Sequence, residues 1–313
     1  MSTPFNPCGG RSESPYGIEL VEHDGFFYEP VILGGVMNMY TQFTAREDDV
    51  FVCSGVKTGT TWVKAIVASI MSKSKGNVLK GGNAHELIPH LEVSYDSRSL
   101  LNASSVFQEM PSPRLFGTHL PYSALPPQVT SLGCRIIYIV RNPRDTFVSH
   151  WKFLPALQTL FNGETTGPVS KEVFFDSFCN GVSFYGPFVD HVLSYWKPSR
   201  NQSNILFLTY EDMKADSLYH IKKISDFLGQ CSLTEEDIRC IDSQCSFQSP
   251  STLDVNTSGK LNFKNVQLNN RELFRKGEVG DWKNHFTPEM NRRMVLVVEN
   301  KFQEAGLFVK YEL

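Results

Sequence analysis

Three groups of residues in this chain have the types and spacing to handle an anion. The first is Ser54-Gly55-Val56-Lys57-Thr58-Gly59-Thr60-Thr61-Trp62. The apolar run Asp49-Val50-Phe51-Val52-Cys53 before it reads as a short strand, and the apolar-rich stretch from Val63 to Met71 after it reads as a helix. A strand, a turn with two glycines and a helix start leave backbone N–H groups at the positive end of a helix dipole without an intrahelical acceptor. That is a cradle for phosphate or a chemical relative of it. Lys57 adds a full positive charge, and Thr58, Thr60 and Thr61 add hydroxyls. An ordinary capped turn would use Thr and Gly in the same way. The order Gly-x-x-x-x-Gly-Lys-Ser/Thr is absent, because the lysine precedes the second glycine, so the turn is P-loop-like without being the loop of a nucleoside triphosphatase.

The second group is Leu115-Phe116-Gly117-Thr118-His119-Leu120-Pro121, a short apolar segment ending at a histidine before a proline that stops regular structure. A histidine at a strand end sits at the carboxyl edge of the sheet, where ligands bind in open α/β sheets, so His119 is expected to face the anion held by the Lys57 turn. Its pKa near neutrality suits it to take a proton from a hydroxyl or amine. A lone histidine is as readily structural, and His85, His90, His150, His191, His220 and His285 are read that way. The third group begins at Arg135. The apolar, mostly β-branched run Ile136-Ile137-Tyr138-Ile139-Val140 reads as a central parallel strand buried on both faces, ending in Arg141. Asn142-Pro143 then opens a helix with Asp145 placed for its dipole and Ser149 near its beginning. Arg141 and Ser149 make a second anion pocket, since arginine binds phosphate in bidentate fashion. The alternative is an ion pair of Arg141 or Arg144 with Asp145.

These groups need a sheet to bring them to one edge. The 313 residues fit one α/β domain, a central parallel sheet flanked by helices, over residues 18–313. Residues 1–17, rich in Pro, Gly and Ser, are expected to form a loose arm. Ile205 to Tyr210 reads as another buried strand, Ser217 to Leu228 as an amphipathic helix, and Thr287-Pro288-Glu289-Met290 as the cap of the last helix. The polar stretch from Asn256 to Asn270 is expected to be a mobile lid. A net charge of −3 argues against a general nucleic-acid binder. The apolar runs fall short of the 18 or so residues that cross a bilayer, and the polar start lacks a signal peptide's pattern, so no membrane partner and a cytoplasmic location are expected. Seven scattered cysteines, an odd number without paired Cys-x-x-Cys spacing, fit reduced thiols and no metal site.

In combination, Lys57-Thr58-Gly59-Thr60-Thr61-Trp62, Thr118-His119-Leu120-Pro121, Arg141-Asn142-Pro143-Arg144-Asp145 with Ser149, and Arg275-Lys276-Gly277 with Gly280-Asp281-Trp282-Lys283 resemble the cytosolic sulfotransferase family. The match runs from about residue 25 onward in the same order. Phe178-Cys179-Asn180-Gly181-Val182-Ser183-Phe184-Tyr185-Gly186-Pro187-Phe188 resembles the plant branch. The resemblance implies transfer of a sulfuryl group from 3′-phosphoadenosine 5′-phosphosulfate (PAPS) to a hydroxyl of a small acceptor, leaving 3′-phosphoadenosine 5′-phosphate (PAP), with no metal. It implies that Lys57, Thr58, Gly59, Thr60 and Thr61 hold the 5′-phosphosulfate, and that Arg141, Ser149, Arg275, Lys276 and Gly277 hold the 3′-phosphate. Trp62, Phe247 and Tyr210 would contact the adenine. His119 would be the general base, with Lys57 countering charge on the leaving oxygen. Aromatic Phe153, Phe161, Phe184, Tyr185 and Phe188 are candidate walls for an apolar acceptor, and each is equally a core residue. Flavonoids, steroids, hydroxy-jasmonates, desulfo-glucosinolates and other plant phenols or alcohols all fit.

Three positions depart from the family pattern. Val56 stands where most members have proline. Gly117 stands where many have a lysine, which removes a second cation near the transferring group. The dimer pattern after Asp-Trp-Lys is replaced by Asn284-His285-Phe286-Thr287-Pro288, with Arg292 at the glutamate's place, so a monomer or weak homodimer is expected. Two other functions compete: a small-molecule kinase, which needs a metal-binding carboxylate beside the loop, and a non-catalytic nucleotide sensor, which would bind without turnover.

Overall fold

The computed structural model describes residues 11–72, 77–97, 99, 102–165, 167–246, 254–262 and 267–310. The described chain opens with β1 (Arg11–Glu13), β2 (Glu19–His23) and β3 (Phe26–Tyr28), an antiparallel sheet in that order. The turn joining β1 to β2 buries Tyr16 and Ile18, and the Ser14 hydroxyl donates to the Ile18 carbonyl. Residues 11–17 are therefore part of the folded body and not a loose arm. Burial of Tyr16 and Ile18 offsets the entropy of ordering a stretch whose local composition favours irregularity. Residues 1–10 of the expected arm lie outside the described residues. Helix α1 (Pro30–Gln42) follows, with the Glu29 carboxylate accepting from the amides of Val31 and Ile32.

The main sheet is built from β4 (Val50–Ser54), β5 (Leu115–Thr118), β6 (Arg135–Val140) and β7 (Ile205–Thr209), parallel throughout and ordered β5-β4-β6-β7. Alternate residues of β4 and β6 enter two separate cores: Phe51, Cys53, Ile136, Tyr138 and Val140 on one face, Val50, Val52, Ile137 and Ile139 on the other. Period-two alternation with both faces covered explains why these strands read as continuous apolar runs. Helix α2 (Thr60–Met71) leaves β4, and α3 (Pro143–Asn162) leaves β6 with Asn142 as its cap. Downstream come α4 (Phe188–Ser199), α5 (Tyr210–Ala215), α6 (Ser217–Phe227), α7 (Glu235–Cys245) and α8 (Pro288–Met294). The stretch read as a lid contains a hairpin, β8 (Lys260–Asn262) with β9 (Gln267–Asn269), in which backbone groups pair with one another. Among the described residues no helix is long and apolar enough to cross a membrane.

The chain runs from β4 outward to β5 and then crosses back to β6 on the other side of β4. The carboxyl end of β4 is thus the point where strand order reverses, the place where open α/β sheets leave a crevice for ligands.

Candidate active site

Ser54 ends β4, and within six residues the chain reverses into α2. Two residues of that turn have left-handed backbone: Lys57 at φ 66° and Gly59 at φ 117°. Gly59 has no alternative there, because a Cβ would stand 2.9 Å from Tyr210 Cδ2 and 3.0 Å from Ile139 Cδ1. The Gly59 carbonyl accepts from the amides of Trp62 and Val63, so the amides before them lie at the positive end of α2 with no helical acceptor. The hydroxyls divide their work. Thr58 is fully buried and donates to the carbonyls of Gly55 (2.9 Å) and Ile139 (3.1 Å), fixing the turn to the sheet. Its side chain is a structural brace and not the anion donor implied by the resemblance. Thr60 lies 2.6 Å from the Ser54 hydroxyl, and Thr61 lies 2.9 Å from His85 Nε2, and both line a cavity of about 290 Å³.

The walls of this cavity gather most of the sequence-derived candidates: Lys57, Gly59, Thr60, Thr61, Trp62, His119, Arg141, Ser149, Tyr210, Arg275 and Gly277. Lys276 is not among them; it is half-exposed and paired with Asp281 at 2.6 Å. Phe247 lies outside the described residues. Lys57 rests over the Phe153 ring (4.1 Å), its ammonium 3.3 Å from the carbonyls of Glu272 and Leu273. Burial, with the nearby charges of Arg275 and Arg141 and against that of Glu272, lowers its pKa to about 7.

Arg141 is buried over the Tyr210 ring (4.6 Å), which in turn meets Trp62 edge to face at 5.5 Å. One Arg141 nitrogen donates to the Glu278 carbonyl, but Nε has no partner, and Arg275 likewise keeps Nε and Nη2 unpaired although it pairs with Asp281. Buried guanidinium donors without acceptors are costly, and an anion in the cavity would satisfy them. The alternative reading of the Arg141 run, an ion pair with Asp145, is present, and Asp145 makes further contacts as well. Its carboxylate stands 3.7 Å from Arg141 and accepts from the amides of Gly280 (2.7 Å) and Trp282 (2.9 Å). Asp145 thereby anchors the segment carrying Arg275 and Gly277 against the start of α3. Arg144 instead pairs with Glu299 at 2.7 Å and lies over Trp282.

His119 sits one residue beyond β5. Its Nδ1 is 2.8 Å from the Ser54 carbonyl, and a carbonyl only accepts, so Nδ1 carries the proton and Nε2 keeps a free lone pair. The His119 backbone is held from two sides: its amide donates to Glu92 (2.9 Å) and its carbonyl accepts from His191 Nε2 (2.8 Å). Burial, opposed by the Ser54 bond and reinforced by the charge of Lys64, lowers its pKa to about 3, so the ring is neutral throughout the physiological range.

Several residues of the site escaped the sequence reading. His85, read as structural, lines the cavity, and His90 stacks between it and His119, at 5.3 and 4.5 Å between ring centroids. Only their shared edge of the sheet distinguishes them, and no local pattern reveals it. The expected acceptor walls are split. Phe153 faces the cavity under Lys57, while Phe184, Tyr185 and Phe188 enclose a separate void of about 10 Å³ beside Gly55 and Val56. Phe161 packs edge to face on Phe184 at 5.1 Å. Among the described residues no three or more His, Cys, Asp or Glu side chains converge as a metal site.

The family model of the sulfotransferase domain matches residues 47–306. Cytosolic sulfotransferase 17 of Arabidopsis thaliana is 38% identical over 309 residues, covering 95% of this chain and 86% of the relative. Cytosolic sulfotransferase 5 of the same plant is 38% identical over 303 residues, covering 93% and 91%. In three dimensions the chain is similar to mouse sulfotransferase SULT7A1 complexed with PAP, with a TM-score of 0.72 and 29% identity over 92% of this chain and 95% of the other. It is also similar to a putative steroid sulphotransferase of Arabidopsis thaliana, with a TM-score of 0.73 and 29% identity over 97% and 93%.

Proposed function

The chain belongs to the sulfotransferase family, an enzyme that transfers a sulfuryl group from PAPS to a small acceptor, and on that premise we propose which of its residues do so. PAPS supplies a sulfuryl group already activated by its bond to a phosphate. The observation that carries the assignment is the pairing, on one cavity, of a helix N-terminus beside Lys57 with buried, unpartnered guanidinium donors on Arg141 and Arg275. A ligand with two separate anionic ends fits that pair of sites. The Lys57–Thr61 turn holds the phosphosulfate, Arg141 with Arg275 and Ser149 holds the 3′-phosphate, and the faces of Trp62 and Tyr210 take the adenine. Lys57 holds positive charge where negative charge builds on the leaving oxygen. His119 Nε2 takes the proton of the acceptor hydroxyl, and the Ser54 carbonyl fixes the tautomer that leaves Nε2 free.

The acceptor we infer is a hydroxyl-bearing, apolar, ring-containing plant metabolite. Tyr185 lies 5.4 Å from the His119 ring and joins Phe184 and Phe188 around the small void, so an acceptor approaching His119 from that side meets aromatic walls. The same reading has the protein act in the cytosol, as its relatives' names suggest, as a monomer or weak homodimer without nucleic-acid or membrane partners.

The test is calorimetric titration with PAP without added metal, followed by a panel of acceptors with labelled PAPS. Stoichiometric binding without metal and turnover of phenols or sterols are the expected results. Binding only of a nucleoside triphosphate with Mg²⁺ would replace the assignment with a kinase, and turnover of small charged alcohols alone would remove the apolar acceptor.

A pH dependence follows from Lys57. An anion binds its protonated form, whose pKa in the free protein is lowered to about 7, so donor affinity and kcat/KM for PAPS fall as pH rises above about 7. The bound anion raises that pKa, so kcat holds to higher pH than kcat/KM. His119, at about 3, adds no acid limb near neutrality. Initial rates from pH 5.5 to 9 at low and saturating PAPS check both limbs.

A further inference from the structure

Gly117 lies in β5, two residues before His119, and the space its missing side chain leaves is filled. A Cβ built there would stand 2.2 Å from Lys64 Cε and 2.4 Å from Lys64 Nζ. Lys64 comes from the second turn of α2 and is fully buried. It makes no ion pair among the described residues, and its ammonium has one hydrogen-bond partner, His85 Nδ1 at 3.3 Å. Burial, opposed by Glu92, lowers the Lys64 pKa to about 7, so below that pH it is an ammonium, which only donates; Nδ1 then accepts, and the proton of the neutral His85 ring resides on Nε2. That Nε2–H donates across 2.9 Å to the Thr61 hydroxyl, which then has its own O–H free to donate. Thr61 and His85 both line the cavity.

We propose that Lys64 is a positioning residue for the donor: it occupies the space vacated by Gly117 and, through His85, polarises the Thr61 hydroxyl toward the anion bound at the Lys57 turn. The inference rests on the reading that the phosphosulfate binds at that turn. A buried cation joined to a ligand by successive hydrogen bonds acts in a low local dielectric, where each bond strengthens the next. Glu92, the acidic group that faces Lys64, accepts through Oε1 from both the His119 amide (2.9 Å) and the Tyr185 hydroxyl (3.0 Å), its Oε2 has no hydrogen-bond partner, and no carboxylate lies within ion-pair distance of the lysine among the described residues. The lysine absent at position 117 is in effect supplied from the neighbouring helix.

The variants are Lys64→Met, His85→Phe and their combination, with PAP affinity by calorimetry, kcat and Tm as readouts. Lys64→Met and His85→Phe are each expected to weaken PAP binding about tenfold, the size of a charge-assisted hydrogen bond. Lys64→Met leaves Tm unchanged or raises it, because an apolar side chain of similar length replaces a buried charge. The double variant binds PAP no more weakly than the worse single one, since both interrupt one chain. Gly117→Ala, which crowds the ammonium while keeping it, is expected to weaken PAP binding as well and serves if Lys64→Met does not fold. Wild-type PAP affinity and kcat in both Lys64→Met and Gly117→Ala, or losses that add in the double variant, would overturn the relay. If wild type binds PAP and Arg141→Met weakens it about 10²-fold while Lys64→Met changes nothing, only this inference falls. If wild type does not bind PAP, the donor-site reading falls and the relay with it.

Discussion

Replacing His119 with alanine is expected to lower kcat by about 10² to 10⁴ while leaving PAP affinity unchanged, the range that loss of a positioned general base produces. The expectation rests on three features of the ring. Its Nδ1–H is tied to the Ser54 carbonyl, so Nε2 is the nitrogen left to accept a proton. Its backbone is held by Glu92 and His191, which fixes the ring's height at the sheet edge. Burial keeps it neutral at working pH, so it need not lose a proton before it can take one. His119→Asn retains a polar group of similar reach without a basic nitrogen, and should be as slow as His119→Ala. A variant that turns over at the wild-type rate while binding PAP normally would remove His119 as the base.

Replacing Arg141 with methionine is expected to weaken PAP binding about 10²-fold, the loss of one to two hydrogen bonds to a charged group at roughly 1.5–3 kcal/mol each. Methionine keeps apolar contact with the Tyr210 ring and removes the guanidinium whose Nε has no partner. Arg141→Lys restores the charge without the planar fork and should recover only part of the affinity. At saturating PAPS the kcat of Arg141→Met should stay near wild type, since the phosphate it holds is remote from the breaking bond. Calorimetry with PAP and with adenosine 5′-phosphate separates the contributions. If Arg141→Met binds PAP as wild type does, the 3′-phosphate is held elsewhere. If both ligands weaken equally, Arg141 does not read the 3′-phosphate at all.

The two predictions differ in how far the sequence alone supported them. Both residues stand where apolar runs stop, and an apolar run of parallel-strand type with a polar residue at its end has one natural reading: the strand is buried and the residue is at the edge. The run from Ile136 to Val140 is fully buried, as such a run must be when helices cover both faces. The Lys57 turn was legible for the same reason, because a strand, two glycines and a helix leave backbone donors that only an anion or water can meet. Asn142-Pro143 announced α3 through cap and first-turn chemistry that acts within four residues.

What local chemistry could not decide is what each side chain does once distant segments converge. Thr58 and Thr61 are equivalent in sequence, yet the first turns inward to brace β6 and the second meets a histidine 24 positions away. Asp145 reads as a partner for its neighbouring arginines; it pairs with Arg141 at 3.7 Å and also anchors a loop 135 residues further along. Tyr16 sits in a stretch whose composition favours a loose arm, but it finds an edge-to-face partner in Phe174, and burial outweighs local propensity. Gly117 reads as a lost cation, and only the packing of α2 against β5 shows the space occupied by Lys64. The sequence by itself determined the sheet, its edge and the strand–turn–helix at Lys57, because strand burial, caps and helix dipoles are properties of short segments. Tertiary structure decided which hydroxyls, histidines and cations share the cavity, because hydrogen-bond partners and burial are set by residues far apart in the chain.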